Sequence, residues 1–197
     1  MEKYLYLSEV EMIDAWINGG EIPISLASKY VSPQRDGVNT PDENIIHDSP
    51  VDIKRIFPWA DVKNGNSSFK NVTFTECHDV YGQPVPDTGS VSYYKEDGLI
   101  ISLCNSFCRD IAFGLGKKKA CVKIINVDKL RKVVGKQLGV KGIMKGCEYT
   151  DDHQRNHFLK ATEDSWQDEY RIFWKYPKRK LVKIPKGIAE FVSTFEY

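Results

Sequence analysis

The sequence predicts a single α+β domain, and three observations predict it. Stretches with the alternation or the β-branched and aromatic content of strands recur along the whole chain. Segments with helical spacing are interleaved among them. No internal repeat, low-complexity tract or linker divides the 197 residues, a length that suits one hydrophobic core.

The chain's 41% apolar and 28% charged residues are those of a globular protein. A net charge of +1 supplies no global field to draw in nucleic acid. No apolar run is long enough to cross a bilayer, and the opening MEKYLYLSEVEMIDAW carries acids where a signal peptide is apolar. The expectation is a cytoplasmic protein with no membrane contact.

KYLYL reads as the first strand. Ser8 and Glu11 then have the spacing of a capping box, with Val10, Ile13, Trp16 and Ile17 on one helical face. Gly19 and Gly20 end that helix, and EIPISLA forms a second strand in which Pro23 marks an edge or a strand start. Residues 30–98 are a loop-rich insertion, dense in Pro, Gly, Asn, Asp and Ser, with short strands such as NVTFTECHDVY inside it. A long irregular stretch in a compact domain points to function.

GLIISLCNSF reads as a strand feeding the helix CRDIAFGLG, and ACVKIINVD as another strand. DKLRKVVGKQLG follows as a helix capped by Asp128, with Leu130, Val133, Val134 and Leu138 facing inward. GIMKGCEYT, EYRIFWKY, KLVKI and AEFVSTFEY are the remaining strands. DDHQRNHFLKATEDSW between them is a charged helix or turn.

Few local motifs carry chemistry. Cys77, Cys104, Cys108, Cys121 and Cys147 are odd in number and lack zinc-knuckle spacing, so they read as buried thiols. His47, His78, His153 and His157 read as surface residues; the last two would share a helical face, but spacing fixes no third ligand and no metal is expected. Two sequons, at Asn66 and Asn71, go unused in a cytosolic chain. There is no Gly-rich phosphate loop and no Gly-x-Ser-x-Gly elbow. The basic runs Lys117–Lys119 and Lys175–Lys186 read either as solvated edge lysines or as a phosphate-contacting surface.

The unusual segment is DSWQDEYRIFWKY, residues 164–176, where three polar residues open a strongly strand-forming run. Alternation puts Glu169, Arg171 and Phe173 on one face and Tyr170, Ile172 and Trp174 on the other, with Gln167 continuing the Glu169 row. One reading sets Gln167 and Glu169 in a cleft, where a carboxylate accepts from a sugar hydroxyl and faces a developing cation. The other makes Glu169 and Arg171 a strand-edge salt bridge.

An aromatic-rich first strand with a helix behind it (Tyr4 to Tyr6), a central strand ending in serines (Ile100 to Ser106), and a late block of Lys160, Trp166 and Glu169–Arg171 together resemble the ADP-ribosyltransferase fold. Within it, they look like the small bacterial DUF2971-like proteins. The resemblance implies a split β-sandwich that binds NAD as substrate and transfers ADP-ribose to a macromolecule. It implies Glu169 as the catalytic carboxylate and Gln167 as the residue orienting the acceptor, with RNA or DNA somewhat favoured over protein. Ser102 and Ser106 would support the glutamate and the ribose, and Tyr4 and Tyr6 would line the nicotinamide pocket. Better-known branches carry Arg or His on the first strand. This chain has Lys3 there, and Arg35 either contacts the diphosphate instead or is a turn residue paired with Asp36 or Asp42. Lys160 and Trp166 read as packing and positioning residues. Small proteins of this kind resemble bacterial or phage toxins and defence effectors, which implies a neutralising antitoxin protein. NAD hydrolysis and a non-catalytic binding module are the alternatives.

Overall fold

A computed structural model describes residues 2–48, 69–79, 81–84, 88–152 and 154–197. His153 and the Asn66 sequon lie outside the described residues. In chain order come β1 (Lys3–Leu7), helix α1 (Met12–Asn18), β2 (Gly20–Leu26) and a 3-10 turn at Ala27–Tyr30. The loop-rich stretch contributes β3 (Ile45–Asp48), β4 (Phe69–Phe74) and β5 (Thr88–Lys95). Next are β6 (Leu99–Cys104), α2 (Arg109–Gly114), β7 (Ala120–Ile124) and α3 (Val127–Leu138). The last third holds β8 (Ile143–Gly146), β9 (Glu148–Thr150), β10 (Leu159–Ala161), a 3-10 helix (Thr162–Gln167), β11 (Glu169–Trp174), β12 (Lys180–Ile184) and β13 (Ala189–Thr194).

The protein is therefore α+β and mostly strand. Eight strands make one antiparallel sheet, β3, β5 and β4 make a three-stranded one in that order, and β9 and β10 pair in parallel. The large sheet is organised by β6. One of its edges pairs with β11 along its whole length, from Glu169 opposite Cys104 to Trp174 opposite Leu99. Its other edge is shared: β2 takes the start, with Ser25 opposite Ile100, and β1 takes the end, with Tyr4 opposite Cys104. Among the described residues no strand pairs with Ile101–Leu103 on that side. The sheet thus divides over β6 into a β2–β12 wing and a β1–β7–β13 wing. Pro23 is tolerated inside β2 because residues 20–24 pair only with β12, leaving their other edge open at the divide.

Apolar burial under α1 and α3 holds the wings together. Trp16, Leu130, Val134, Ile172, Trp174 and Val182 belong to one buried cluster. Trp174 is fully buried, and a Cβ at Gly142 would come within 2.4 Å of its indole nitrogen, so only glycine fits there. Gly19 ends α1 at φ 84°, where a side chain would meet the Lys186 backbone at 2.6 Å.

Two capping expectations are corrected. The helix expected from Ser8 starts only at Met12, its N-cap side chain makes no capping bond, and Val10 is exposed. Ser8 Oγ instead accepts from Lys118 Nζ at 3.0 Å, a tertiary donor that replaces the local one. In α3 the cap is Asn126, whose Oδ1 accepts from Lys129 N at 2.9 Å, while Asp128 is paired with Arg131 and Lys132. Asn126 has the extended backbone a cap requires, and Asp128 already lies in the first turn. Residues 154–167 are turn, short strand and 3-10 helix, with His157 in a turn; the helical face expected for His153 and His157 lies partly outside the described residues. His47 and His157 are buried, against the expectation of surface histidines. All five cysteines are free thiols; Cys104 and Cys121 are buried and the other three are half-buried.

Candidate functional site

The polar mouth of β11 is shaped by a backbone kink. Asp168 has φ 44° and ψ 51°, the left-handed region that Asp tolerates better than most residues. The loop after β6 holds it there. Asn105 donates from N and Nδ2 to Asp168 O at 2.8 and 3.0 Å, and Asn105 Nδ2 and Ser106 Oγ reach its carboxylate at 2.7 Å each. Lys3 Nζ in turn donates to Asn105 Oδ1. Gln167 therefore lies in the 3-10 helix rather than on the strand.

Lys160 reunites the two expected residues. Its buried ammonium donates to Gln167 Oε1 and to Glu169 Oε2, both at 2.7 Å, and lies 3.7 Å from Asp164. The Gln167 amide donates to Gly37 O at 3.2 Å. Arg171 approaches Glu169 Oε2 at 3.1 Å, grips Glu43 with two bonds of 3.0 and 2.9 Å, and donates to His157 O. The Glu169–Arg171 pair expected at a strand edge is real, but it is buried beneath both partners' other contacts. The chain of charges continues outward from Asp164 through Arg35 to Asp42 and Arg155. Four acids (Glu43, Glu169, Asp164, Asp42) alternate with four bases (Arg171, Lys160, Arg35, Arg155), and exposed Glu163 adds a fifth carboxylate at Arg35.

The neighbouring cations set the protonation state of Glu169. Burial by itself would raise the pKa of Glu169, but the charges of Arg171 and Lys160, with hydrogen bonds from Lys160 and Ser102, lower it to about 2. Glu169 is a buried, ionised carboxylate. Beside it, burial pushes the Cys147 thiol up to about 12, so that thiol stays protonated 4.0 Å from Oε2. Glu169 N donates to the Tyr149 hydroxyl at 2.9 Å.

Above this network the divided sheet opens into a cleft of about 580 Å³. Ser102, the one exposed residue of β6, forms its floor with Glu169 and Arg171. Leu5, Tyr6 and Leu7 of β1, Ile22 and Pro23 of β2, and Met12 and Trp16 of α1 also line it.

Of the residues singled out in the sequence, Glu169, Ser102 and Tyr6 line this cleft. The Tyr6 hydroxyl is engaged, accepting from Cys108 N at 2.7 Å, so it offers the cleft mainly its ring. Tyr4 packs on Phe107 with ring centroids 5.9 Å apart and is not a lining residue. Ser106 braces Asp168, Gln167 is buried under Lys160, and Arg35 sits in the network between Asp42, Glu163 and Asp164. Trp166 is exposed and lies against Gly114. Glu43, Asp164 and Tyr149 were missed; Glu43 meets Arg171 across 128 residues of sequence, and no local spacing signals that. Among the described residues no three His, Cys, Asp or Glu side chains are grouped to hold a metal ion, and no helix is long and apolar enough to cross a membrane.

What the fold and site define is an α+β protein whose antiparallel sheet opens over a buried acid–base network. Comparison with family models, curated proteins and solved structures returned no match.

Proposed function

We propose that this protein breaks the bond between nicotinamide and ribose in NAD and transfers ADP-ribose to a macromolecular acceptor, as a toxin or defence effector of the ADP-ribosyltransferase type. The observation that carries the reading is an ionised, buried Glu169 beside an exposed Ser102 at the floor of a cleft. The division of the large sheet over β6 supports a split β-sandwich as the corresponding architecture.

The chemistry follows from the charge. As the C1′–N1 bond breaks, its electron pair stays with the ring nitrogen and nicotinamide leaves neutral. Positive charge spreads over C1′ and the ribose ring oxygen. A carboxylate already fixed by Lys160, Arg171 and Ser102 meets that charge without reorganising, so it stabilises the transition state more than the ground state. An acceptor oxygen or nitrogen then bonds to C1′ and releases its proton. The apolar walls keep water scarce, which strengthens the attraction.

A second reading has its own observation. Glu169 Oε2 is occupied by both Lys160 and Arg171, as in a purely structural ion network, and this favours a non-catalytic binding module. The test is to incubate the protein with labelled NAD and separate pools of RNA, DNA and cell protein, following label and free nicotinamide. Label in one pool, lowered about 10- to 100-fold in Ser102→Ala and further in Glu169→Gln, is the expected outcome. Nicotinamide release with no labelled pool identifies hydrolysis instead. A folded protein giving neither result leaves the binding module.

A further inference from the structure

The charges around the cleft are lopsided. Five carboxylates (Glu9, Glu11, Glu21, Glu43 and Glu169) line it against two cations, Lys118 and Arg171. Glu43, Glu169 and His157 O take four of the five N–H donors of Arg171, and its Nη2 also lies 3.1 Å from Glu169 Oε2, so the guanidinium is turned to protein acids rather than to a ligand phosphate. Glu43 and Glu169 are balanced by Arg171 and Lys160. The charges left facing the cleft mouth are Glu9, Glu11 and Glu21, all exposed, with half-buried Lys118 donating to Ser8.

A diphosphate needs cations or a cluster of free backbone N–H donors. Arg35, the guanidinium expected to serve it, is held by three acids and is not a lining residue. The turn leading into α1 brings Glu9 and Glu11 to the cleft, which would repel phosphate. A flat organic cation, by contrast, finds the rings of Tyr6, Trp16 and Tyr30 among apolar walls, under a negative rim.

Resting on the glycosidic cleavage proposed above, we propose that the cleft recognises the cationic pyridinium–ribose end of its donor and makes no use of the diphosphate, so that a phosphate-free N-ribosylpyridinium is a competent substrate. With nicotinamide riboside the C1′–N1 bond breaks, the electron pair leaves on nicotinamide, and water or an acceptor hydroxyl bonds to C1′ and loses a proton. Nothing else is consumed.

The experiment measures binding by calorimetry and nicotinamide release for nicotinamide riboside, for NAD and for the uncharged dihydronicotinamide riboside, at low and high salt. The riboside is expected to bind at least as tightly as NAD and to be cleaved with at least equal kcat/KM, while the dihydro form does not bind. Replacing the exposed rim acids together, Glu9→Gln, Glu11→Gln and Glu21→Gln, shifts the preference toward NAD by about tenfold, an effect that shrinks as salt rises. NAD bound and cleaved more than tenfold better than the riboside overturns this inference and leaves the proposed function intact. If the folded protein neither binds nor cleaves either donor, both fall.

Discussion

The two faces of β11 are both buried, yet they are built on opposite principles. On one, Tyr170, Ile172 and Trp174 join the apolar cluster beneath α3. On the other, Glu169 and Arg171 join an alternating chain of acids and bases, and only Phe173 continues it as an apolar side chain. Apolar burial is non-directional and contributes most of the stability. A buried ion network contributes little over apolar residues of similar volume, because desolvation offsets the attraction, but it tolerates no missing member. The apolar face holds the fold, and the ionic face fixes where a carboxylate stands.

The sharpest way to break that contrast is to remove one charge. Arg171→Met leaves Glu43 and Glu169 with a single cation between them and should cost about 3–5 kcal/mol in urea unfolding. Removing Glu43 as well, in Glu43→Leu/Arg171→Met, should recover much of that loss while donor cleavage stays low. A double variant less stable than the single one would show that the pair itself stabilises the fold. Trp174→Ala on the other face should cost a comparable 3–5 kcal/mol by opening a cavity, yet any surviving folded protein should keep its cleft chemistry.

Acid separates the faces by titration. The folded pKa of Glu169 lies near 2, below its ordinary value of 4.5, and that of Asp42 is lowered as well: burial alone would raise it, and the hydrogen bond and charge of Arg155 and the charge of Arg35 overcome that. A lowered folded pKa gives stability that is present above the unfolded value and lost as pH falls through the folded one. Unfolding free energy should therefore drop between about pH 4.5 and 2. Asp42→Asn should make the drop shallower, and an unchanged slope would remove Asp42 from the balance. Smaller still, Asn126→Ala should cost about 1 kcal/mol by loss of the α3 cap, and Asp128→Ala, at an exposed ion pair, less than that. Neutralising exposed Lys178, Lys180 and Lys183 should change stability by less than about 0.5 kcal/mol. A fall in labelling of one acceptor pool in that variant would identify the β12 edge as a contact surface for it.

How far the site was legible follows the same division. Glu169 stood out because a carboxylate heading a β-rich run conflicts with its surroundings, whereas Ser102 entered only through the resemblance. Lys160 reads from the sequence as a packing and positioning residue, and the structure puts its ammonium between Gln167 and Glu169. The acids that complete the network were not legible. Glu43 lies in a loop-rich stretch and Asp164 in a charged one, where acids are ordinary. Tyr4 and Tyr6 share a strand face, but alternation cannot say which of the two borders the divide in the sheet.

By itself the sequence determined the α+β class, nearly every strand of the large sheet, and the polar run Gln167–Glu169 at the head of one of them. These depend on periodicity and on residue type, which are local. Only the tertiary structure decided that β6 is shared between two wings and that a cleft opens there, because register between distant strands is set by the whole core. It alone decided between the two readings of Arg35, that Asn126 caps α3, and that Glu169 is charged. Each of those outcomes is a competition among partners far apart in the chain, settled by burial and distance.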